Sequence, residues 1–177
     1  GISSTHSAWQ LNGTEQNRFL FYAGVIKASV SILEAKVKVS LAGVPIVVSG
    51  MASSSLGMVA IPYKHLPFQT DGSDLKLLWI KSSNDVAHDV IILSGACSED
   101  DVMRGEETQL VGSVDQDPAH EQVYIFPGTH SKHITVRQGM VTGFKTYMTG
   151  EIFALLSTRG TLAEAVHGSH NLSDEGS

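Results

Sequence analysis

Hydrophobic residues recur at helical spacing through the first long proline-free segment of the chain. The segment runs from Gln16 to about Val39, and its apolar positions are Phe19, Tyr22, Ala23, Ile26, Val30, Leu33 and Val37. Residues three or four positions apart lie on one face of an α-helix, so this spacing predicts one long amphipathic helix. Pro45 then interrupts the pattern and separates this helix from the segments that follow.

Shorter apolar runs, several of them rich in β-branched residues, dominate the rest of the chain and predict strands. The single runs are residues 46–50, 75–80, 89–93 and 123–126. Two alternating runs, HITV at 133–136 and MVTGF at 140–144, are joined by a short connection at 137–139. Alternation of apolar and polar residues on both sides of a short turn predicts a β-hairpin.

Two short helices and one irregular loop are expected between these strands. A helix is predicted from Glu106, short because of Gly112, and another follows Thr149, a residue type that caps helices. The segment 50–58, GMASSSLGM, is rich in glycine and serine and predicts a loop without regular structure; we call it the serine loop. Because helices and strands interleave along the chain, the sequence predicts an α/β fold.

Composition and charge narrow the class of protein. The 177 residues are 42% hydrophobic and 17% charged, which is typical of a globular domain. A formal charge of −6 argues against a nucleic-acid partner, since such proteins cluster lysine and arginine. The single cysteine, Cys97, cannot form an intrachain disulfide, and no apolar run reaches the roughly 18 residues of a membrane span. We therefore expect a cytoplasmic protein. An anionic small-molecule substrate stays possible, and the oligomeric state, including a homo-oligomer, stays open.

The first candidate for chemistry is Arg104-Gly105-Glu106-Glu107, which follows an acidic run at 99–101. Glutamates in the first turn of a helix stabilise it by complementing the helix dipole, and this alone explains their position. A catalytic interpretation is supported by Arg104, whose planar guanidinium suits a carboxylate or phosphate and which precedes a potential general base by two residues. The acidic run itself is expected to be a solvated approach to the helix.

A second candidate is FPGTHSKH, at residues 126–133. Gly128 and Thr129 could present backbone N–H groups and a hydroxyl to a phosphate, and Lys132 adds a positive charge. The alternative is an ordinary β-turn in which proline and glycine serve only the backbone. Both interpretations remain open from the residues alone.

The remaining polar motifs give weaker signals. We reject zinc for the His130/His133 pair, because residues three apart on a strand point to opposite faces, and for His167/His170, which lacks a third ligand nearby. We predict no metal ligands, and no standard nucleotide-binding or serine-hydrolase motif occurs. The serines at 53–55 are either hydroxyl donors to a polyhydroxylated ligand or solvated loop residues.

Taken together, four segments resemble the 2-dehydro-3-deoxygalactonokinase family of sugar-acid kinases. They are SGMASSSLG with IPY (49–57 and 61–63), VMRGEETQLVG (102–112), PGTHSKH (127–133) and FKTYMTGEIFALL (144–156). The resemblance extends from about Ile46 to Leu156, and VMRGEETQLVG is its most specific part. It implies a ribonuclease-H-like (actin-like ATPase) lobe with a mixed sheet, flanking helices and a β-hairpin.

The resemblance also implies an activity and roles for individual residues. The expected reaction is transfer of the γ-phosphoryl group of ATP, with Mg²⁺, to 2-dehydro-3-deoxygalactonate, giving the 6-phosphate. Glu106 is the implied general base, and Glu107 is the second choice. The implied substrate-binding residues are Ser53, Ser54, Tyr63 and Arg104. The implied phosphate-binding residues are Gly128, Thr129 and Lys132.

Members of this family begin with a strand and a D-x-G-[ST] turn and continue into a second lobe. The only D-x-G-S here is Asp174–Ser177, with no strand before it. We therefore expect residues 1–160 to be an N-terminal lobe incomplete at its start, and 161–177 to be a polar tail or the beginning of a linker. On this interpretation the chain alone is inactive. The rival hypothesis is a non-catalytic sugar-acid-binding or regulatory module.

Overall fold

The computed structural model describes residues 14–114, 120–159 and Ala163. The helices are α1 (Glu15–Val37), α2 (Glu106–Ser113) and α3 (Thr149–Arg159), and a short 3-10 helix covers Met51–Ser53. The strands are β1 (Ile46–Val48), β2 (Lys64–His65), β3 (Phe68–Gln69), β4 (Leu77–Ile80), β5 (Val90–Leu93), β6 (Ala96–Cys97), β7 (Val102–Met103), β8 (Gln122–Phe126), β9 (Ser131–Arg137) and β10 (Met140–Tyr147). The predicted α/β class is confirmed.

Helix α1 confirms the long helix that the hydrophobic spacing predicts. Thr14 caps its start, because the threonine hydroxyl accepts a hydrogen bond from the Asn17 amide. The helix ends where Lys38 adopts a left-handed conformation with φ 56°, and the Lys38 amide bonds to the Glu34 carbonyl oxygen.

Three small sheets organise the strands. The first has the order β1-β5-β4, in which β1 and β5 are parallel and β4 is antiparallel to β5. The second, β3-β10-β9-β8, is antiparallel throughout, and the third has the order β2-β6-β7. Parallel and antiparallel pairs therefore coexist, as the resemblance implies for a mixed sheet.

The hairpin of β9 and β10 is confirmed and is the most regular part of the fold. Its strands pair from Ser131 opposite Tyr147 to Arg137 opposite Met140. Gln138 and Gly139 form the turn, and both have positive φ values of 50° and 74°. Two consecutive positive φ values match the right-handed twist of a tight hairpin.

Two hydrophobic clusters support the regions that carry the predicted site. The first cluster joins the second and third sheets to α2: Phe68, Ala96, Met103, Leu110, Ile134, Val136, Val141 and Phe144. The second lies between α1, the serine loop and the first sheet: Ala23, Ala52, Met58, Ile61, Val86, Val90 and Ile92. Arg104 follows Met103 of the first cluster, and Ser53 follows Ala52 of the second, so the two clusters fix the two sides of the site.

Several local expectations need correction. The serine loop is not wholly irregular, because residues 51–53 form a 3-10 turn. Thr149 is the first residue of α3 and not its cap, since the Ile152 amide bonds to the carbonyl oxygen of the preceding residue, Met148. His167, His170 and the tail at 161–177 lie outside the described residues, apart from Ala163. None of the helices in the described ranges has the length and apolar character that crossing a membrane requires.

Asp101 differs from the prediction that the whole acidic run is solvated. Its carboxylate accepts hydrogen bonds from the Thr146 amide at 2.7 Å and the Thr146 hydroxyl at 2.8 Å. It also accepts from the Val102 amide at 2.7 Å. Asp101 therefore ties the start of β7 to β10, whereas Glu99 and Asp100 are exposed as expected.

Candidate active site

The four residues predicted to bind substrate meet in one cavity. The cavity has a volume of about 330 Å³ and is lined by Ser53, Ser54, Ser55, Ala60, Ile61, Pro62, Tyr63 and Arg104. It opens between the serine loop, the segment that leads into β2, and the residue after β7. Ligand cavities for small molecules begin at about 300 Å³, so a compact polar ligand suits this space.

The hydroxyl groups of Ser53 and Ser54 are engaged within the serine loop. Ser53 is fully buried, and its hydroxyl donates to the Gly50 carbonyl oxygen at 3.2 Å while accepting from Arg104 Nη1. The Ser54 hydroxyl donates to the Met51 carbonyl oxygen at 2.8 Å and accepts from the Leu56 amide at 3.3 Å. Both hydroxyl protons are thus used by the protein, and these two serines shape the loop.

Arg104 is the charged group of this cavity. Its guanidinium carbon lies 4.3 Å from the centre of the Tyr63 ring, a distance typical of a cation–π contact. Among the described residues, no carboxylate lies within ion-pairing distance of this guanidinium. Half-buried, stacked and bonded to Ser53, the guanidinium keeps a fixed position with its charge uncompensated.

Glu106 begins α2 next to this arginine and faces a lysine on the other side. One carboxylate oxygen accepts a hydrogen bond from the Arg104 amide at 2.9 Å, and the other lies 4.0 Å from Lys132 Nζ. The Glu106 side chain is 23% exposed, whereas Lys132 is buried. The structure therefore brings together residues from VMRGEET and PGTHSKH that are far apart in sequence, and Glu106 stays accessible to a ligand.

Glu107, the next residue, has a different environment. It has no exposed surface, and both its oxygens accept from the Gly105 amide, at 2.9 and 2.7 Å. Burial raises the pKa of Glu107 to about 7, although the bond from Gly105 acts in the opposite direction. Gly105 makes this turn with a positive φ of 110°, and an added Cβ there would lie 3.6 Å from the Gly50 Cα of the serine loop.

The turn before β9 packs against the start of α3. The Gly128 carbonyl oxygen accepts from the Gly150 amide at 3.2 Å, and the Thr129 carbonyl oxygen accepts from the Glu151 amide at 3.1 Å. The Gly128 amide donates to the Ser131 hydroxyl at 3.3 Å. Gly128 and Thr129 are both exposed, and their role in phosphate binding stays a prediction.

His130 lies in the turn just before β9, whereas His133 lies on that strand, and the two side chains have different partners. His130 Nε2 contacts a Glu151 carboxylate oxygen at 2.6 Å, and the His133 ring packs on Tyr147 with 4.5 Å between ring centres. Within the described ranges, no group of three or more histidine, cysteine, aspartate or glutamate side chains could hold a metal ion.

Sequence reasoning missed Gly95, which lies directly against Tyr63. An added Cβ at Gly95 would come within 2.8 Å of Tyr63 Cε1 and 2.5 Å of the Met103 carbonyl oxygen. The only signal in the sequence is a serine and a glycine after the apolar run of β5, which is common at strand ends. Contacts across the fold, not local pattern, make this glycine part of the site.

A larger cavity of about 500 Å³ lies elsewhere, between α1 and β1. Its lining is mainly aliphatic, with residues such as Val25, Ile26 and Leu33, and it contains no lysine, arginine or carboxylate. A site for a charged substrate needs converging polar groups, so the smaller cavity at Arg104 is the better candidate.

Comparison with known proteins places this geometry in context. A model of the 2-keto-3-deoxy-galactonokinase family matches residues 3–176. A 2-dehydro-3-deoxygalactonokinase of Escherichia coli K12 is 34% identical over 136 residues, covering 73% of this chain and 43% of that protein. A Rhizobium meliloti 1021 protein with the same assigned activity is 36% identical over 129 residues, covering 71% and 41%.

A solved structure shows the same likeness. The crystal structure of a protein from Sinorhizobium meliloti, also named as a 2-dehydro-3-deoxygalactonokinase, matches with a TM-score of 0.64 and 32% identity. The match covers 80% of this chain and 47% of that one. The chain therefore spans less than half the length of each of these three proteins.

Proposed function

The chain belongs to the 2-keto-3-deoxy-galactonokinase family, and we propose that it forms the sugar-acid-binding part of a kinase acting on 2-dehydro-3-deoxygalactonate. Its α/β core, within residues 1–160, is the ribonuclease-H-like N-terminal lobe of that kinase, and 161–177 is a tail or linker. The likeness to a solved family structure supports this fold assignment.

The observation that carries the proposal is the uncompensated guanidinium of Arg104 in a cavity of substrate size. A half-buried cation without a carboxylate partner among the described residues suits an anionic ligand. The planar fork binds a carboxylate through two parallel hydrogen bonds, and a sugar acid carries such a group. Ser53 and Tyr63 hold the fork in place, and Ser54 shapes the loop that closes the cavity.

Glu106 is the general base of the proposed reaction, because its carboxylate is partly exposed and accepts a hydrogen bond from the Arg104 amide beside the cavity. It removes the proton from the 6-hydroxyl group while that oxygen attacks the γ-phosphorus of ATP. The bond between the γ-phosphorus and the bridging oxygen breaks, and ADP leaves with the electron pair. Glu107 is buried and supports the turn instead of touching the substrate.

Lys132, Gly128 and Thr129 form the phosphate-binding side of the proposal. Lys132 Nζ lies 4.0 Å from a carboxylate oxygen of Glu106. Its positive charge is therefore close to the proposed base and can stabilise the negative charge of the γ-phosphoryl group during transfer. ATP is the phosphoryl donor, and Mg²⁺ accompanies its phosphates in reactions of this class. No residue in the described part of the chain is assigned to Mg²⁺.

The test uses the gene product that contains this chain and the chain itself. We expect the gene product to release ADP and form a 6-phosphate, identified by mass spectrometry, from 2-dehydro-3-deoxygalactonate. Calorimetric titration of residues 1–177 with the same sugar acid should show binding that Arg104→Gln abolishes. Binding without phosphorylation by the gene product would instead support a sugar-acid-binding module, and the absence of both would overturn the proposal.

A further inference from the structure

We infer that Gly95 is a positioning residue of this site, which fixes the guanidinium of Arg104 through Tyr63 and Met103. The inference rests on the proposed function only for its consequence on substrate binding. The contact itself is a property of the folded chain. Gly95 connects β5 to β6 and does not touch the cavity, whose lining residues are those given above.

The need for glycine at position 95 is one of space. Its φ is not in the left-handed region that favours glycine, so the backbone alone would accept alanine. A Cβ at this position would lie 2.8 and 3.0 Å from two Tyr63 ring carbons and 2.5 Å from the Met103 carbonyl oxygen. Since these distances are shorter than normal van der Waals contacts, a methyl group must displace one neighbour or both.

Both neighbours lead to Arg104. Tyr63 carries the guanidinium 4.3 Å above its ring, and Met103 is the residue directly before Arg104 in the chain. The surrounding backbone is also fixed, because the Gly95 carbonyl oxygen accepts from the Lys64 amide at 2.9 Å and Ala96 pairs with Met103. Little freedom remains to absorb a methyl group without moving the arginine.

A displaced guanidinium should affect binding more than chemistry. Arg104 would lose its stack on Tyr63 and its bond to Ser53 and would adopt several positions, so that binding the carboxylate must order it first. We expect Gly95→Ala to raise KM about tenfold and to lower kcat by a smaller factor. A displaced Tyr63 ring acts on the guanidinium, whereas a shift of the Met103 carbonyl also moves the Arg104 amide from which Glu106 accepts its hydrogen bond. Gly112→Ala is the matched control, since a Cβ there meets nothing within 4 Å.

A spectroscopic test of the contact needs no substrate. The chain has four arginines, so ¹⁵N-arginine labelling gives a simple spectrum in which Arg104→Lys identifies the Arg104 Nε–H signal. In the native chain this signal should be shifted by the ring current of Tyr63. Gly95→Ala should move it toward the position found in Tyr63→Leu, and Gly112→Ala should leave it in place. If the Arg104 signal of folded Gly95→Ala stayed at its native position, the inference would be overturned, whatever the fate of the proposed function.

A double variant separates positioning from general packing. If Gly95 acts through Tyr63, the KM of Gly95→Ala/Tyr63→Leu should equal that of the worse single variant, since one stack is lost in each case. If the two increases in KM instead multiply in full, Tyr63 has no part in the effect of Gly95, and this contradicts the inference that both neighbours act. Should Gly95→Ala alone not fold, recovery of folding in the double variant supports the ring contact. Failure of both variants to fold would show that the Met103 carbonyl contact, which the double variant keeps, sets the requirement, and this overturns the role of Tyr63.

Discussion

The Arg104 cavity and the start of α2 are adjacent, yet they use their polar groups in opposite ways. In the cavity, the neutral hydroxyls of Ser53 and Ser54 are engaged within the protein and the charged guanidinium is left without a counter-charge in the described structure. At the start of α2, both glutamates accept backbone N–H bonds. The comparison shows that hydrogen-bond partners, more than residue type, decide which groups remain for a ligand.

The two neighbouring glutamates of α2 also differ in their partners and exposure. Glu106 is partly exposed, and its second carboxylate oxygen lies 4.0 Å from Lys132 Nζ. Glu107 has no exposed surface, and both its carboxylate oxygens accept a hydrogen bond from the Gly105 amide. One turn of helix therefore carries a carboxylate suited to meet a substrate and one suited to hold the turn. Variants that remove one property at a time test this division.

The largest effect is expected for Glu106→Gln in the gene product. Glutamine keeps an oxygen for the Arg104 amide but cannot take the hydroxyl proton, so kcat should fall by roughly 10² to 10⁴ with KM little changed. Steady-state ADP release measures both constants. Glu99→Gln, in the exposed acidic run, is the control and should match the unmodified enzyme. An unchanged kcat in Glu106→Gln would remove Glu106 from the role of base.

Glu107→Gln should change the pH dependence of stability. Burial raises the pKa of Glu107 from 4.5 to about 7. Between these pH values Glu107 keeps its proton in the folded chain but has lost it in the unfolded chain. The contribution of protonated Glu107 to the free energy of unfolding is therefore complete below pH 4.5 and is lost as the pH rises through 7. The decrease amounts to about 3 kcal/mol.

Urea denaturation at pH 4.5 and pH 7.5 measures this decrease. Glutamine cannot ionise, so Glu107→Gln should lose most of the difference between the two pH values, while the Glu99→Gln control keeps it. If Glu107→Gln retained the full difference, another group would be responsible, and the contrast between the two glutamates would rest on geometry alone.

Arg104→Lys tests the cavity side of the comparison. Lysine keeps the charge but loses the planar fork and much of the stack on Tyr63, so KM should rise about tenfold with a small change in kcat. Arg137→Lys is the control, because Arg137 is exposed and paired with Glu121 away from the cavity. A rise in KM that is equal in both variants would show that the cavity does not select for the guanidinium.

Much of the fold could be predicted from the sequence, because its signals are local. The spacing of apolar residues in α1 and the alternation around Gln138-Gly139 each specify an element without reference to the rest of the chain. Four residues that line the cavity were predicted from the resemblance of their motifs, and the structure brings them together: Ser53, Ser54, Tyr63 and Arg104.

The contacts that assign roles could not be predicted in this way, since they join distant segments. Arg104 and Ser53 are 51 residues apart, and Asp101 and Thr146 are 45 apart. The burial of Glu107 depends on how α2 packs, and the requirement at Gly95 depends on where Tyr63 lies. A run of charged residues such as 99–101 therefore predicts a solvated segment, and the contact of Asp101 with Thr146 appears only in the folded structure.

The smallest effect is expected for Asp101→Asn. This variant tests the contact between Asp101 and Thr146, which holds the start of the segment that carries Arg104 and α2. The amide group of asparagine cannot accept both bonds from Thr146, so the free energy of unfolding should fall by about 1 kcal/mol. Asp100→Asn is the matched control, because Asp100 is exposed and contacts only the nearby Ser98 hydroxyl. Because Asp101 holds β7 to β10 without touching the cavity, both variants should keep the KM and kcat of the gene product. Equal midpoints of urea denaturation in the two variants would return Asp101 to the solvated run, and a changed KM in Asp101→Asn would show that the position of Arg104 depends on this anchor as well as on Tyr63.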